Sequence, residues 1–245
     1  MTSAMLARFV ILGEVHDNAE HHRVQAEIFA ALLRNGRKPA LAMEQFDREH
    51  QPALDAARGR GEGNAERLAD AGAFDRKGWR WADYKPLVEL ALDAGVPILA
   101  ANFSRADARA LMQSGKVAPG LPPVSAETGT ALEKDIVSGH CGHRPAPTVL
   151  AGMVQAQRAR DAAMAGALQH AGAGGAILIA GAGHARRDRG VPAYMPAQMR
   201  DDLLSVGFVE STGPVDLRVY AGIYDYVWVT TAPERIDPCE SFKSR

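Results

Sequence analysis

Cysteine is all but missing from this chain: Cys141 and Cys239 are its only two thiols in 245 residues. Two thiols exclude a disulfide framework, and they read either as unrelated groups or as one bridge, which the sequence leaves open. Net charge is equally scarce. At −1 it gives no reason to expect nucleic acid or an anionic membrane as partner. Long apolar runs are also missing, none approaching the ~18 residues of a membrane-spanning helix. The stretch before the first apolar run is too short for a secretion leader, so the chain as written is expected to be cytoplasmic. A chain with its leader removed, or with a different start, would read the same and be periplasmic or outer-membrane-associated.

What the chain does have is three apolar runs that end on proton- or metal-handling side chains. Residues Val10–His16 close on Glu14 and His16, Leu41–Phe46 carries Glu44, and Ile177–His184 ends on His184. Such runs read as core strands of a parallel sheet. Ligands of open α/β sheets collect beyond the carboxyl ends of the strands. Two carboxylates and two imidazoles delivered to that edge predict a site there.

Around these strands the rhythm is strand, helix, strand, helix. A capping box at Asp17–Glu20 opens a helix to about Arg34, with Val24, Ile28 and Leu32 on its buried face. His21 shares that face, near the end of the first strand, whereas His22 falls on a flank toward Phe29 and Leu33. Residues 48–73 read as helical, broken by a polar turn at 58–64. A helix from about Tyr84 to Ala94 leads to a strand ending at Asn102. Segment 104–147 reads as an inserted lid of short helices rather than a second domain. A long Ala-rich helix follows from Val149 to about Ala171. Residues 217–223 and 226–230 read as edge strands around a turn at Tyr224–Asp225. No internal repeat is seen. The expected fold is one α/β domain over 1–245, with a mainly parallel central sheet and helices on both faces.

Residues i and i+2 of an extended segment share a face, so Glu14 and His16 can point into one cavity, and Gly13 allows close backbone approach. The plainer alternative pairs Glu14 with an arginine and His16 with a helix end. Glu44 follows an apolar run and therefore needs a partner: arginine, protonated histidine or a metal. A His/Glu set without thiolate suits zinc, manganese or iron, and the carboxylates can instead act as general bases. Residues 181–192 lack the third glycine of a dinucleotide fingerprint. Their Arg186, Arg187 and Arg189 can clamp carboxylates or phosphates, or simply pair with Asp188 in a solvated loop. His140, Cys141 and His143 lack a matching half-site and read as a loop with incidental histidines. Trp79, Trp81 and Tyr84 read as core packing at a helix start. Tyr84 and Tyr194 stand out only as phenols able to ligate ferric haem, and no haem c attachment pattern is present.

Taken in order, several segments resemble the ChaN-like haem-binding uptake proteins, whose superfamily includes Tiki/TraB proteases and erythromycin esterases. They are 13–18 with His21, His22 and Gln25, then 43–48, 79–84, 101–105, 156–165, 181–192 and 237–242. The resemblance spans most of the chain and implies haem binding and a part in haem or iron uptake, usually as an exported lipoprotein. As written, the sequence reads as lacking a lipobox and a leader, a departure from that pattern. Export would favour a Cys141–Cys239 bridge. Gly13–His16 and Gly181–His184 also match the Gly-x-x-His pattern with which Tiki-like proteases hold a metal. That analogy makes His16 and His184 ligands, with Glu14 or Glu44 as ligand or base for hydrolysis of an ester or amide. Gln157 and Asp161, four apart on one helix face, would line the same cleft. The expected ligand-binding set adds His21, Tyr84, Asn102, Arg186, Arg187, Arg189 and Tyr194. The expected partner is haem or another small molecule, with no nucleic acid, and a homo-oligomer is left open.

Overall fold

Strand β1 (Phe9–Glu14) is buried along its whole length, and its side chains alternate between two cores. Val10 and Leu12 join one cluster with Val24, Leu32 and Leu87. Phe9 and Ile11 join the other with Met164 and Leu168. A strand covered on both faces is what a continuous apolar run requires. Strands β2 (Ala40–Asp47) and β4 (Ala176–Gly181) divide in the same way. Leu41, Met43, Ile177 and Ile179 face the first core; Ala40, Ala42, Ala176 and Leu178 face the second. With β3 (Ile98–Asn102), β5 (Leu203–Glu210) and β6 (Tyr226–Thr230) they form a six-stranded sheet in the order β3-β2-β4-β1-β5-β6. Every neighbouring pair is parallel. This computed structural model describes residues 4, 6–59, 64–114, 117–235 and 239.

The first face is covered by α1 (Ala19–Arg34), α2 (Gln51–Gly59), α3 (Ala65–Ala71) and α4 (Trp81–Asp93). The second is covered by the long helix α7 (Pro147–Gln169), on which α5 (Arg105–Ser114) and α6 (Ala126–Gly139) lie. Proline at the first position of α7 loses no hydrogen bond there. Gly152 lets α5 approach closely, since a Cβ would meet the Met112 carbonyl oxygen at 2.8 Å. Two short helices, α8 (Ala182–Ala185) and α9 (Ala197–Asp201), flank the end of β4 and the start of β5. Among the described residues no helix is long and apolar enough to cross a membrane.

Three local expectations are corrected. The cap of α1 is Asn18, not Asp17, and its side chain accepts from the backbone N–H groups of Glu20 and His21. Residues 217–223 form no strand. Leu217–Tyr220 is a 3-10 turn, opened by Asp216 accepting from the Arg218 N–H. The strand that the sequence reading omits is β5, whose apolar run is broken by Ser205 and Gly207. It exists because β1 and β6 pair with it on either side. Residues 60–63 of the expected polar turn, and all of 237–242 except Cys239, lie outside the described residues.

Candidate functional site

Strand alternation decides which face each carboxylate meets. Glu14 continues the parity of Val10 and Leu12 and so enters the first core beside α1 and α4. There Tyr84 donates its hydroxyl to Oε1 at 2.5 Å and Gln25 donates to Oε2 at 2.7 Å. The His16 and His22 rings lie 3.0 and 3.3 Å away through Nδ1. Burial pushes the Glu14 carboxyl up, but the hydrogen bonds and charges of His16 and His22 outweigh it and hold the group down to about 2. Burial lowers both imidazoles in turn, yet Glu14 raises them above the ordinary histidine value. The alternative arginine partner for Glu14 is absent among the described residues; histidines take that part.

Glu44 has the parity of Ala42 and meets the second face. Its Oε2 accepts from the Gly181 N–H at 2.8 Å, and Oε1 lies 3.4 Å from His184 Nε2. His184 Nδ1 donates to Asp161 Oδ1 at 2.7 Å. Burial depresses the imidazole, but the charges of Glu44 and Asp161 prevail and raise it to about 10. Burial likewise dominates at Asp161 and raises its carboxyl to about 6 against the pull of His184. At neutral pH His184 is therefore an imidazolium clasped by two carboxylates. The two networks meet at Gly181, where a Cβ would stand 2.9 Å from the His16 ring. His16 is the member that reaches solvent, its side chain 45% exposed and its ring edge-on to Trp79 at 4.7 Å.

The remaining expected residues divide. Gln157 lies against the His184 ring at 3.3 Å, so the Gln157/Asp161 pair does converge on one imidazole. His21 does not join the polar cluster. Its Nδ1 accepts from the Val15 N–H at 3.0 Å and its Nε2 lies 2.8 Å from Thr230 Oγ1, which pins the end of β1 to β6. Asn102 is buried, and its Oδ1 has no hydrogen-bond partner among the described residues. Tyr84 is fully buried, and Tyr194 accepts from Arg158 Nε at 3.2 Å. Each loop arginine already holds a carboxylate: Arg186 pairs with Asp188, Arg187 with Asp225, and Arg189 with Asp135 and Asp188. Among the described residues no three His, Cys, Asp or Glu groups stand together as around one metal ion.

Sequence reasoning missed His22, expected on a flank toward Phe29 and Leu33, and the buried Arg158, which donates to the Pro122 carbonyl and ties the 117–124 loop to α7. The spacing of His22 and Gln25, three apart on α1, was the available signal, because a buried Glu14 needs donors from a neighbouring helix. Cys141 and Cys239 form a disulfide, with Cα atoms 5.4 Å apart. Beside Asp161 a cleft of about 440 Å³ opens between α6, α7 and residues 183–189. Its walls include Leu132, Ile136, His140, Gln157, Arg189 and Tyr224.

The profile of the family described as "Haem-binding uptake, Tiki superfamily, ChaN" matches residues 1–195. The chain belongs to this family. The fold agrees: over 92% of the chain and 88% of the other, at 26% identity and a TM-score of 0.77, it is similar to ChaN of Campylobacter jejuni in a structure of cofacial heme binding. Two more distant solved structures are similar at lower scores. The type III effector HopBA1 is 19% identical, with 82% of this chain and 77% of that one covered at a TM-score of 0.46. An erythromycin esterase EreC mutant in its open conformation is 12% identical, with 85% and 71% covered at 0.48. No site or activity is carried over from either. No curated protein sequence matches the chain. Membership of the ChaN family gives the Glu/His networks their setting, at the strand ends of a fold shared with a heme-binding protein.

Proposed function

We propose that this ChaN-family protein binds haem in the cleft between α6, α7 and residues 183–189, and serves haem or iron uptake and handling. The observation that carries the reading is the near full-length likeness to ChaN, whose structure describes heme binding. The cleft has chemistry that fits. Leu132, Ile136 and Tyr224 offer an apolar wall for a macrocycle, and Arg186 and Arg189 stand at the same cleft as cations for propionates. Asp188 and Asp135 occupy those guanidinium groups, in the way that propionates would. The volume lies within the ~300–1,000 Å³ common for small-molecule sites. Bound haem would supply an iron and two carboxylates; the chain's own groups bind, orient and shield it. Tyr84 fits poorly as a ligand to iron, because its hydroxyl is buried on Glu14 and burial with that carboxylate drives its pKa far up. Helix α6, within the segment 104–147, forms one wall and would act as the lid of the site. The Cys141–Cys239 bridge supports residence in an oxidising compartment, the periplasm or the outer membrane's inner side.

Titration of the purified protein with ferric haem tests this reading. A saturable Soret band at one haem per chain is expected, and a flat titration overturns it.

One observation favours a second reading, hydrolysis of an ester or amide. His16 is held by Glu14 and reaches solvent beside the Glu44–His184–Asp161 chain, an arrangement suited to moving a proton from an attacking water. Under this reading Glu14→Ala and His184→Ala each abolish turnover of ester and amide probes. Turnover retained in both variants removes it.

A further inference from the structure

We infer that the Cys141–Cys239 bridge is a redox-controlled lock: a dithiol that reduces it frees helix α6 and opens the cleft beside Asp161, whatever ligand the cleft takes. Of the 14 residues of α6, only Leu132 is buried. The helix lies on α7 and supplies one wall of the cleft through Leu132, Asp135, Ile136 and His140. Moving it outward therefore lays the cleft open. An element with so little buried apolar surface belongs to the low-stability end of a fold, and it opens ahead of the core unless something else holds it.

Among the described residues, one ionic and one covalent tie fasten α6 to the body. Arg189 grips Asp135 through Nε and Nη2, at 2.6 and 2.8 Å. Asp135 is half exposed, so water competes for it and the pair holds only weakly. Arg144 pairs with Glu133, but this links the helix only to its own continuation. The covalent tie reaches further. Cys141 follows the last turn of α6, and Cys239 stands 98 residues later, shortly past Arg235. Arg235 pairs with Glu210 at the end of β5 and with Asp17 beyond β1. The bridge thus ties the end of α6 to a tail anchored at the carboxyl edge of the sheet.

At its other end α6 has a fixed point to turn about. Residues 117–125 form neither helix nor strand, Gly120 sits at a φ of 79°, and the buried Arg158 holds the Pro122 carbonyl. A fixed point before the helix and a releasable one after it make α6 a flap. Cys141 takes a φ of 59°, a left-handed conformation that usually falls to glycine, so the closed ending leans on restraint from outside the helix. Both cysteines are partly exposed, which gives a dithiol access to the bridge. One thiolate of the dithiol attacks a bridge sulfur and forms a mixed disulfide, and its second thiol then displaces the protein sulfur. The S–S bond breaks with two electrons from the dithiol. Cys141 and Cys239 each end as a thiol with one proton, and the dithiol leaves as a disulfide.

Hydrogen–deuterium exchange of the full chain, read by mass spectrometry, tests this with no ligand present. Oxidised wild type, wild type reduced with dithiothreitol, and Cys141→Ser are compared. Reduction is expected to speed exchange of residues 126–142 roughly tenfold or more, while the amides of β1 and β4 stay protected over the same minutes. Cys141→Ser should exchange like the reduced protein and show no response to dithiothreitol. Reoxidation of the wild type should restore its protection. Equal exchange of 126–142 in oxidised and reduced wild type overturns the lock. Acceleration by the same factor in β1 and β4 overturns it as well, since it marks a bridge that only stabilises the whole fold. No haem enters the measurement, so its outcome stands apart from that of the haem titration.

Discussion

Glu14 is buried, yet Tyr84, Gln25, His16 and His22 all lie within hydrogen-bond or ion-pair reach of its two oxygens. A carboxylate so satisfied stabilises the fold only while it is ionised. Its folded pKa, about 2, lies below the ordinary 4.5, so the stabilisation is present above about pH 4.5 and is lost as pH falls toward 2. Glu14→Gln leaves two histidines without their counter-charge. It is expected to cost about 3–5 kcal/mol at pH 7, the range for breaking a buried pair. Denaturant unfolding of both proteins across pH should show the gap closing as pH falls through that window; a gap independent of pH contradicts the assignment. The Glu14/His16 pairing was legible because two residues of an extended segment share a face. His22 was not legible as a partner of Glu14, since it is the packing of α4 beside α1 that brings its ring between Tyr84 and Glu14. Nor could the sequence show that His184 would be charged, which depends on Asp161 arriving from α7.

Elements bring these residues together. The run of β1 was readable from its apolar pattern. The register shift in β2 between Met43 and Asp47 was not, because pairing with β3 produces it. That irregularity lets Glu44 meet β4 on one face while Phe46 enters the core of the other. The same division explains β5, a weak pattern made into a strand by two partners. At the far end of α6 the decisive constraint is covalent. The Cys141–Cys239 bridge closes a sequence separation of 98 residues, and it holds the helix end that carries His140. Replacing both cysteines by alanine is expected to lower unfolding free energy by about 2–5 kcal/mol, as loss of a loop of this length does. Comparing denaturant midpoints of oxidised wild type with the double variant checks it, and equal midpoints contradict it. Two cysteines in a sequence offered no means of choosing between bridge and free thiols; proximity across the fold decides it.

At the scale of the whole molecule, the parallel sheet carries two polar networks to its carboxyl edge, one on each face, and an arginine-bearing cleft opens beside them. The family and the α/β fold were readable from ordered motifs along most of the chain. The location of the cleft was not, because α6 reaches its place through packing on α7 rather than through any signal of its own. The Glu44–His184 network borders the cleft through Asp161 and Gln157, and α6 forms its more exposed wall. Ser138 is exposed on that wall, so Ser138→Trp should fill the cleft without disturbing the core. The most direct measurement is ferric haem titration of wild type beside Ser138→Trp, with folding of both verified by circular dichroism. The haem reading predicts saturable binding at one haem per chain for wild type and at least tenfold weaker binding for Ser138→Trp. A flat wild-type titration, or equal affinity in the two proteins, would contradict it.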